Sequence, residues 1–536
     1  MSNEVQPKKE EFNILDMNNY RVEKLPKVQK KGIEKILMYA GGPLAILAFV
    51  LLYWVVKIPF LENIDFSSLA KDAASRLKSL GEAKFVRINY AMLAVFVAAI
   101  ILWITEAVPN YLTSLILIIT MVMTNVTTAN VAYAQLGHPV MWLNILAFVL
   151  ASMLVKTQVM KRFALWFVIK FGKNSAWIIF SFIVINVVLS AFISATTAKA
   201  TILLPIFMVI AAIYGARGGN NRTNFGRNLV LQNLFQINIG ASAFITGSGA
   251  NLLAGSIIAG ALGMKLFSFQ DWFVAAFPLA ILLILIGWFV GVKIVFPLKP
   301  EERLPSIEGG IQYLKEELAK MGKMKPVEFR AIAIFVAVLA LWATDKQHGI
   351  DQTAVAFMGA VVALLPGIGI VKWNDVDIPW HLMLFSAGAY TLGAGLEATG
   401  LPGTVVGVTM DAMGVSAQTP FWVLYIFLTA LMLFSALVFQ SKTMRALIFV
   451  PIAIGVAQKF GYPIMSLSFP VALLIEHVYV MPFNSKPAAL LYATNHYSYI
   501  DTIKFGMIMM VIAQVMIMVW GETVLRWLGY TTGLFF

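Results

Sequence analysis

Long, nearly uncharged apolar runs constrain this chain more than any other feature. In its first half they cover residues 36–60, 88–107, 110–128, 139–157, 176–213, 228–262 and 272–297. A helix needs about 20 apolar residues to cross a bilayer, and most of these runs reach or approach that length. The runs do not alternate apolar with polar residues, which excludes an outer-membrane barrel. Charged residues make up 12% of the chain, against roughly 25% in soluble domains. With 60% hydrophobic residues and a mean hydropathy of +0.80, an ordinary soluble enzyme, a disordered chain and a collagen-like chain are all excluded. The fold class is an all-α polytopic membrane protein.

The chemistry is bounded from the other side by what the chain lacks. It has no cysteine, so disulfides, thiolate nucleophiles and iron–sulfur clusters are out. Five histidines without an HExxH pattern point to no metal site, and no cofactor is expected. A net charge of +13 is read as loop residues facing an anionic inner leaflet of the lipid bilayer, not as nucleic-acid binding. No GxxxxGK[ST] loop occurs, and Gly247-x-Gly249 is too short for one, so ATP coupling is not expected.

The chain divides into a polar head (1–35), a first transmembrane helix with an interfacial segment (36–87), a first repeat (88–297), a charged linker (298–328) and a second repeat (329–536). The head holds Lys8, Lys9, Arg21, Lys24, Lys27, Lys30, Lys31 and Lys35, shows no cleavable signal, and should stay cytoplasmic. Leu102-Trp103-Ile104-Thr105-Glu106 matches Leu341-Trp342-Ala343-Thr344-Asp345. Thr197 and Pro205 match Thr443 and Pro451, and Ser268-Phe269-Gln270-Asp271 matches Ser498-Tyr499-Ile500-Asp501. The offsets, 239, 246 and 230 residues, differ by at most 16 across the half. Each half reads as three spans, an interrupted hairpin, a broken span and a final span. About 11 transmembrane helices plus two re-entrant hairpins result.

Five spans per half invert the second repeat, which puts the C-terminus outside. Lys161, Arg162, Lys170, Lys173, Arg217, Arg222 and Arg227 then lie inside. The basic 61–87 segment, expected outside, goes against that pattern. Inverted repeats with interrupted helices point to a secondary transporter with its site at the breaks. Four breaks are expected: 194–198, 246–251, 440–443 and 482–487. Irregular backbone at membrane depth survives only where protein or a water-filled cavity satisfies it. Helix N-termini at such breaks suit anions.

Trp103-Ile104-Thr105-Glu106-Ala107-Val108-Pro109, the two hairpin tips followed by Pro205 and Pro451, and the closing Ser-aromatic-x-Asp pairs together resemble the divalent anion/sodium symporter family. That family carries di- and tricarboxylates. The resemblance spans nearly the whole chain after the head. It implies Ser-Asn-Thr at both tips; the chain reads Ala195-Thr196-Thr197 and Ser441-Lys442-Thr443. It implies a sodium ion held in each repeat by the tip Ser and Asn and a small polar residue one turn earlier. Here Ala191, Ala195 and Leu437 offer no side-chain oxygen, and Lys442 stands at an Asn position. The family's Gly-Thr-Pro-Pro pattern reads Asn484-Ser485-Lys486-Pro487 in the second half and Gly247-Ser248-Gly249-Ala250, followed by Asn251, in the first.

Lys199, Lys442, Arg445 and Lys486 therefore gather near the expected site. A cation in a helix's first turn opposes the dipole, and a charge at bilayer depth costs about 2.5–3.5 kcal/mol. The expectation is that these cations replace sodium and face substrate carboxylates. Internal pairing, for instance Arg445 with Glu476, is the alternative. Glu106 and Asp345 read as helix-end structural acids.

The resemblance implies a homodimeric elevator-type transporter in a bacterial inner membrane. The departures favour its sodium-independent branch, exchanging C4–C5 dicarboxylates such as succinate, malate, fumarate or 2-oxoglutarate. A sodium- or proton-coupled symporter is the second reading, and an intramembrane hydrolase using Ser441 and Lys442 the third. The expected substrate-binding residues are Ala195, Thr196, Thr197, Lys199, Gly247, Ser248, Gly249, Ser441, Lys442, Thr443, Arg445, Asn484, Ser485 and Lys486.

Overall fold

A computed structural model describes Met17 and residues 33–536, apart from 65, 67, 68, 70, 173, 265, 266, 308, 309, 413–418, 440, 483 and 536. The polar head, Gln440 of the expected third break and Phe483 of the fourth thus lie outside the described residues.

The described chain is helical throughout. After α1 (Ile33–Val50) come α2 (Glu82–Thr105), α3 (Asn110–Met123), α4 (Pro139–Lys156), α5 (Val159–Phe171), α6 (Ser175–Phe192), α7 (Thr196–Ile213), α8 (Asn224–Ser242), α9 (Gly249–Ala261) and α10 (Phe269–Phe289). The same order then recurs: α11 (Pro326–Ala343), α12 (Gln352–Leu364), α13 (Trp380–Thr399), α14 (Leu401–Ala412), α15 (Phe421–Phe434), α16 (Lys442–Lys459), α17 (Ile464–Leu473), α18 (Lys486–Tyr492) and α19 (Tyr499–Glu522). Eight spans among the described residues are long and apolar enough to cross a membrane. They include α6 and α7, the two arms of the first hairpin, which the sequence reading had as re-entrant.

The matching motifs do matching work. Ser268 and Ser498 cap α10 and α19, accepting from the backbone N–H groups of Asp271 and Asp501. A serine at the cap and an acid three residues on satisfy two of the free N–H groups of a helix start. Asp345 is a structural acid, as expected: it accepts from the Phe269 N–H (2.7 Å) and the Ser268 hydroxyl (3.2 Å). Arg227 at the start of α8 reaches Asp501 at the start of α19, and Asn224 beside it reaches the Pro297 carbonyl just beyond the end of α10. At the other end of α19, the Trp520 indole donates to the Ala275 carbonyl in the second turn of α10 (2.8 Å). α10 and α19 therefore run in opposite directions.

Two groups of helices emerge. In one, α3 packs along α13 and α4 along α12, joined by Ser114 donating to the Phe385 carbonyl and Thr353 to that of Pro139. In the other, α6 and α10 flank α8, and α16 lies against α9, α14 and α17.

Three features differ from the sequence reading. α2 starts at Glu82, not near 88, because Gly81 at φ 76° ends the preceding helix, 71–80, and the charged turn 82–87 is itself good helix. Each half inserts a further helix, α5 or α14, between its third span and its hairpin. The linker is no loose divide: its helix Gly310–Lys320 docks on α5, where Lys161 meets Glu317 and Arg162 makes two bonds to Glu328 (2.8 and 3.2 Å).

Candidate functional site

The four breaks fall at 193–195, 243–248, 438–441 and 474–485. The first three lie within a few residues of expectation. The fourth opens eight residues early and is much longer. Its exposed carbonyls are met by side chains: Ile475 and His477 accept from the Arg445 guanidinium (3.0 and 3.4 Å), Val478 from the Ser485 hydroxyl (3.4 Å) and Tyr479 from the Thr502 hydroxyl (2.9 Å). Protein donors thus satisfy this irregular backbone, as membrane depth requires.

The breaks in the two broken helices are built alike. Ser248 and Ser485 cap α9 and α18 with nearly the same backbone angles (φ −158°, ψ 155° and φ −156°, ψ 159°). A buried asparagine braces each break. Asn251 donates to the carbonyls of Ala241 (2.9 Å) and Phe244 (3.0 Å). Asn484 donates to the Ala436 carbonyl and accepts from the Met481 N–H (2.6 Å). Asn484 is therefore committed to the scaffold of the break. Gly247 is forced by close approach, since a Cβ there would lie 2.2 Å from the Ala241 carbonyl oxygen.

Lys199 and Arg445 occupy matched fourth positions of α7 and α16, and both are fully buried. Each turns back into its own hairpin. Lys199 Nζ donates to Ser190 Oγ near the end of α6 (2.9 Å), and Arg445 Nε donates to Ser435 Oγ just beyond α15 (2.9 Å). Arg445 also donates to the Met432 carbonyl. Both cations thus staple the two arms of their hairpins, Lys199 through Ser190 and Arg445 through Ser435 and Met432. A guanidinium presents five donors in a planar fork, which suits it to gather carbonyls at helix ends.

Lys442 behaves differently. As the first residue of α16 it reaches across the site, where Nζ donates to Glu476 Oε2 (2.6 Å) and lies 3.4 Å from the Thr196 hydroxyl of the other tip. The Glu476 carboxylate is fully buried, and its other oxygen accepts a very short bond from Ser248 Oγ. One carboxylate thus joins the second hairpin tip, the long fourth break and the first broken helix. Pairing of Glu476 with Arg445 is replaced by pairing with Lys442. Lys199 and Arg445 still act on Glu476 through charge.

The remaining expected residues sort by position. Thr197 and Thr443 are half-buried beside the tips, and neither hydroxyl makes a hydrogen bond among the described residues. Ala195 and Gly249 are half-buried, and Ser441 caps α16 through the Met444 N–H. Because Lys442 points to Glu476, Ser441 and Lys442 are not set up as nucleophile and base. Lys486 is exposed, its amine 3.3 Å from His381 Nε2, and stands outside the buried cluster. Sequence reasoning missed the roles of Glu476, Ser190 and Ser435. An acid inside the apolar run 464–482 was the available signal for Glu476.

Residues 82–531 match the family described as the sodium:sulfate symporter transmembrane region. The chain belongs to that family. Among its relatives, a membrane protein of Cupriavidus necator is 24% identical over 82% of this chain and 88% of its own. The sodium-dependent dicarboxylate transporter SdcS of Staphylococcus saprophyticus is 25% identical over 76% of this chain and 82% of its own. Dicarboxylate transporter 1, chloroplastic, of Spinacia oleracea is 28% identical over 62% of this chain and 59% of its own. With its apolar helices, this family member is a polytopic membrane transporter, which agrees with the fold class read from the sequence.

Proposed function

We propose that this transporter exchanges C4–C5 dicarboxylates across a bacterial inner membrane without sodium. The carrying observation is the pair of stapled cations. Lys199 and Arg445 place formal positive charge behind both hairpin tips, while Ala191, Ala195 and Leu437 supply no side-chain oxygen for a metal ion. The charge that co-transported sodium would bring is built into the protein. Lys199, Lys442 and Arg445 against Glu476 leave a formal excess of two positive charges, which a dicarboxylate matches. Dicarboxylate transport by two of the named relatives supports the same substrate class.

In this reading Thr196, Thr197, Thr443 and Ser248 donate to the substrate carboxylates. The hairpins and broken helices move as one body against the group of α2–α4 and α11–α13, in an elevator motion within a homodimer. The two halves act as inverted repeats, with the N-terminus cytoplasmic and the C-terminus outside. Sodium-coupled symport is the second reading, favoured by the sodium dependence in the name of SdcS.

Counterflow in proteoliposomes separates the two. Labelled succinate should enter only vesicles preloaded with dicarboxylate, and equally with or without sodium. Uptake into unloaded vesicles driven by a sodium gradient would establish symport instead.

A further inference from the structure

We infer that Glu476 is a tethered carboxylate that competes with the transported substrate for its own binding site, and so sets the carrier's affinity. The inference rests on the dicarboxylate reading above. Its ground is which donors Glu476 holds. Lys442 is the tip cation whose side chain reaches the opposite half, lying 3.4 Å from the Thr196 hydroxyl, and Ser248 of that half caps α9. Both donate to the same carboxylate, one through each oxygen. A substrate carboxylate needs donors of this kind: an ammonium and a hydroxyl at a helix start.

The geometry distinguishes a competitor from a simple counter-ion. A counter-ion for the buried cations would pair with the most deeply buried of them. Glu476 instead leaves Lys199 and Arg445 to serines and carbonyls and bonds the half-buried Lys442. It is carried by 474–485, where the described residues form no helix and make only isolated turn bonds such as His477 N–H to the Leu474 carbonyl, so its side chain can withdraw without breaking a helix. Its tethers come from both halves of the chain, Ser248 from the first and Lys442 from the second. A dicarboxylate lying between the two repeats would meet the same pair.

The consequence is a specificity device. A ligand must offer a better carboxylate than the one already present, and must do so with its second carboxylate engaged elsewhere, at the Thr197 or Thr443 side. A monocarboxylate gains too little to displace Glu476. Removing the competitor should therefore raise affinity, whereas removing a merely structural acid should lower it.

The test uses the full chain in lipid nanodiscs, with succinate binding followed by titration calorimetry. Glu476→Gln should lower the dissociation constant at least tenfold and admit butyrate, which the parent protein rejects. If the parent binds succinate and Glu476→Gln binds it equally or more weakly, the competitor role is overturned while the functional reading stands. If the parent binds no C4–C5 dicarboxylate, both fall. A second measurement needs no variant. Infrared difference spectra of the parent protein, with carboxyl-labelled against unlabelled succinate, should show a protein carboxylate band shifting on binding. A spectrum in which only succinate bands move overturns the inference even where the variant fails to fold.

Discussion

Arg445→Ala separates a stapling cation from a substrate-facing one. In the structure the Arg445 guanidinium donates to Ser435 Oγ at 2.9 Å, to the carbonyls of Ile475 and His477 at 3.0 and 3.4 Å, and to that of Met432. Truncation leaves these acceptors buried and unmet, at about 1–3 kcal/mol each. Against that loss, a buried charge no longer has to be desolvated. The balance resembles removal of one partner from a buried ion pair, about 3–5 kcal/mol destabilising. If that loss falls on the unfolding barrier, inactivation accelerates roughly 10²- to 10⁴-fold. The assay is the fraction of solubilised protein that stays monodisperse over time at a fixed elevated temperature, with Thr443→Ala in parallel. Arg445→Ala should fail quickly; Thr443→Ala should persist but bind succinate more weakly. An Arg445→Ala protein as long-lived as the parent, yet unable to bind succinate, would refute the staple and return Arg445 to the substrate.

Three further outcomes follow from the same geometry. Thr197→Ala and Thr443→Ala each remove a hydroxyl beside a tip; in binding titrations succinate should weaken roughly tenfold to a hundredfold, the worth of one charge-assisted bond of about 1.5–3 kcal/mol. Lys486→Met alters an exposed side chain, so counterflow rates should stay within about twofold of the parent. Gly247→Ala sets a methyl 2.2 Å from a backbone oxygen that has no rotamer to yield, and the yield of monodisperse protein should fall in keeping with about 1–3 kcal/mol of overpacking.

The parts legible in the sequence were those with a local cause. Long apolar runs announced the helices, and the Ser-x-x-Asp caps marked the starts of α10 and α19 in both halves. Small and hydroxyl residues at 194–197 and 246–249 ended helices, and in the second case the Ser248 side chain caps the next one. The fourth break was legible only at its far end, where Ser485 and Pro487 begin α18. Its near end, from Leu474 to Val480, is apolar but for Glu476 and His477 and compatible with helix. It stays open because Arg445, Ser485 and Thr502 take its carbonyls, and two of these donors are tens of residues away in the chain. The cations were legible as a group but not in their directions. Lys199 and Arg445 sit at matched positions, yet only tertiary structure shows that Ser190 and Ser435 lie within reach. Lys442 and Lys486 looked equivalent at two helix starts; one is drawn inward by Glu476 and the other emerges beside His381.

These directions revise how charge would couple to movement in the proposed cycle. Four unpaired cations at the tips would have made any crossing of the moving body prohibitive. Glu476 neutralises Lys442, and Lys486 stays at the surface. That leaves Lys199 and Arg445, which travel inside their hairpins. Each uncompensated charge at bilayer depth adds about 2.5–3.5 kcal/mol, so the pair slows an unloaded crossing by roughly 10³- to 10⁵-fold. A bound dicarboxylate brings the total formal charge of Lys199, Lys442, Arg445, Glu476 and substrate to zero. It does so whether or not it displaces Glu476, because the acid moves with the body that carries it. A monocarboxylate leaves one charge uncompensated and a tricarboxylate adds one of opposite sign. In the proposed cycle the same two stapled cations that hold the hairpins together would therefore favour both exchange over net flux and a dianion over its neighbours.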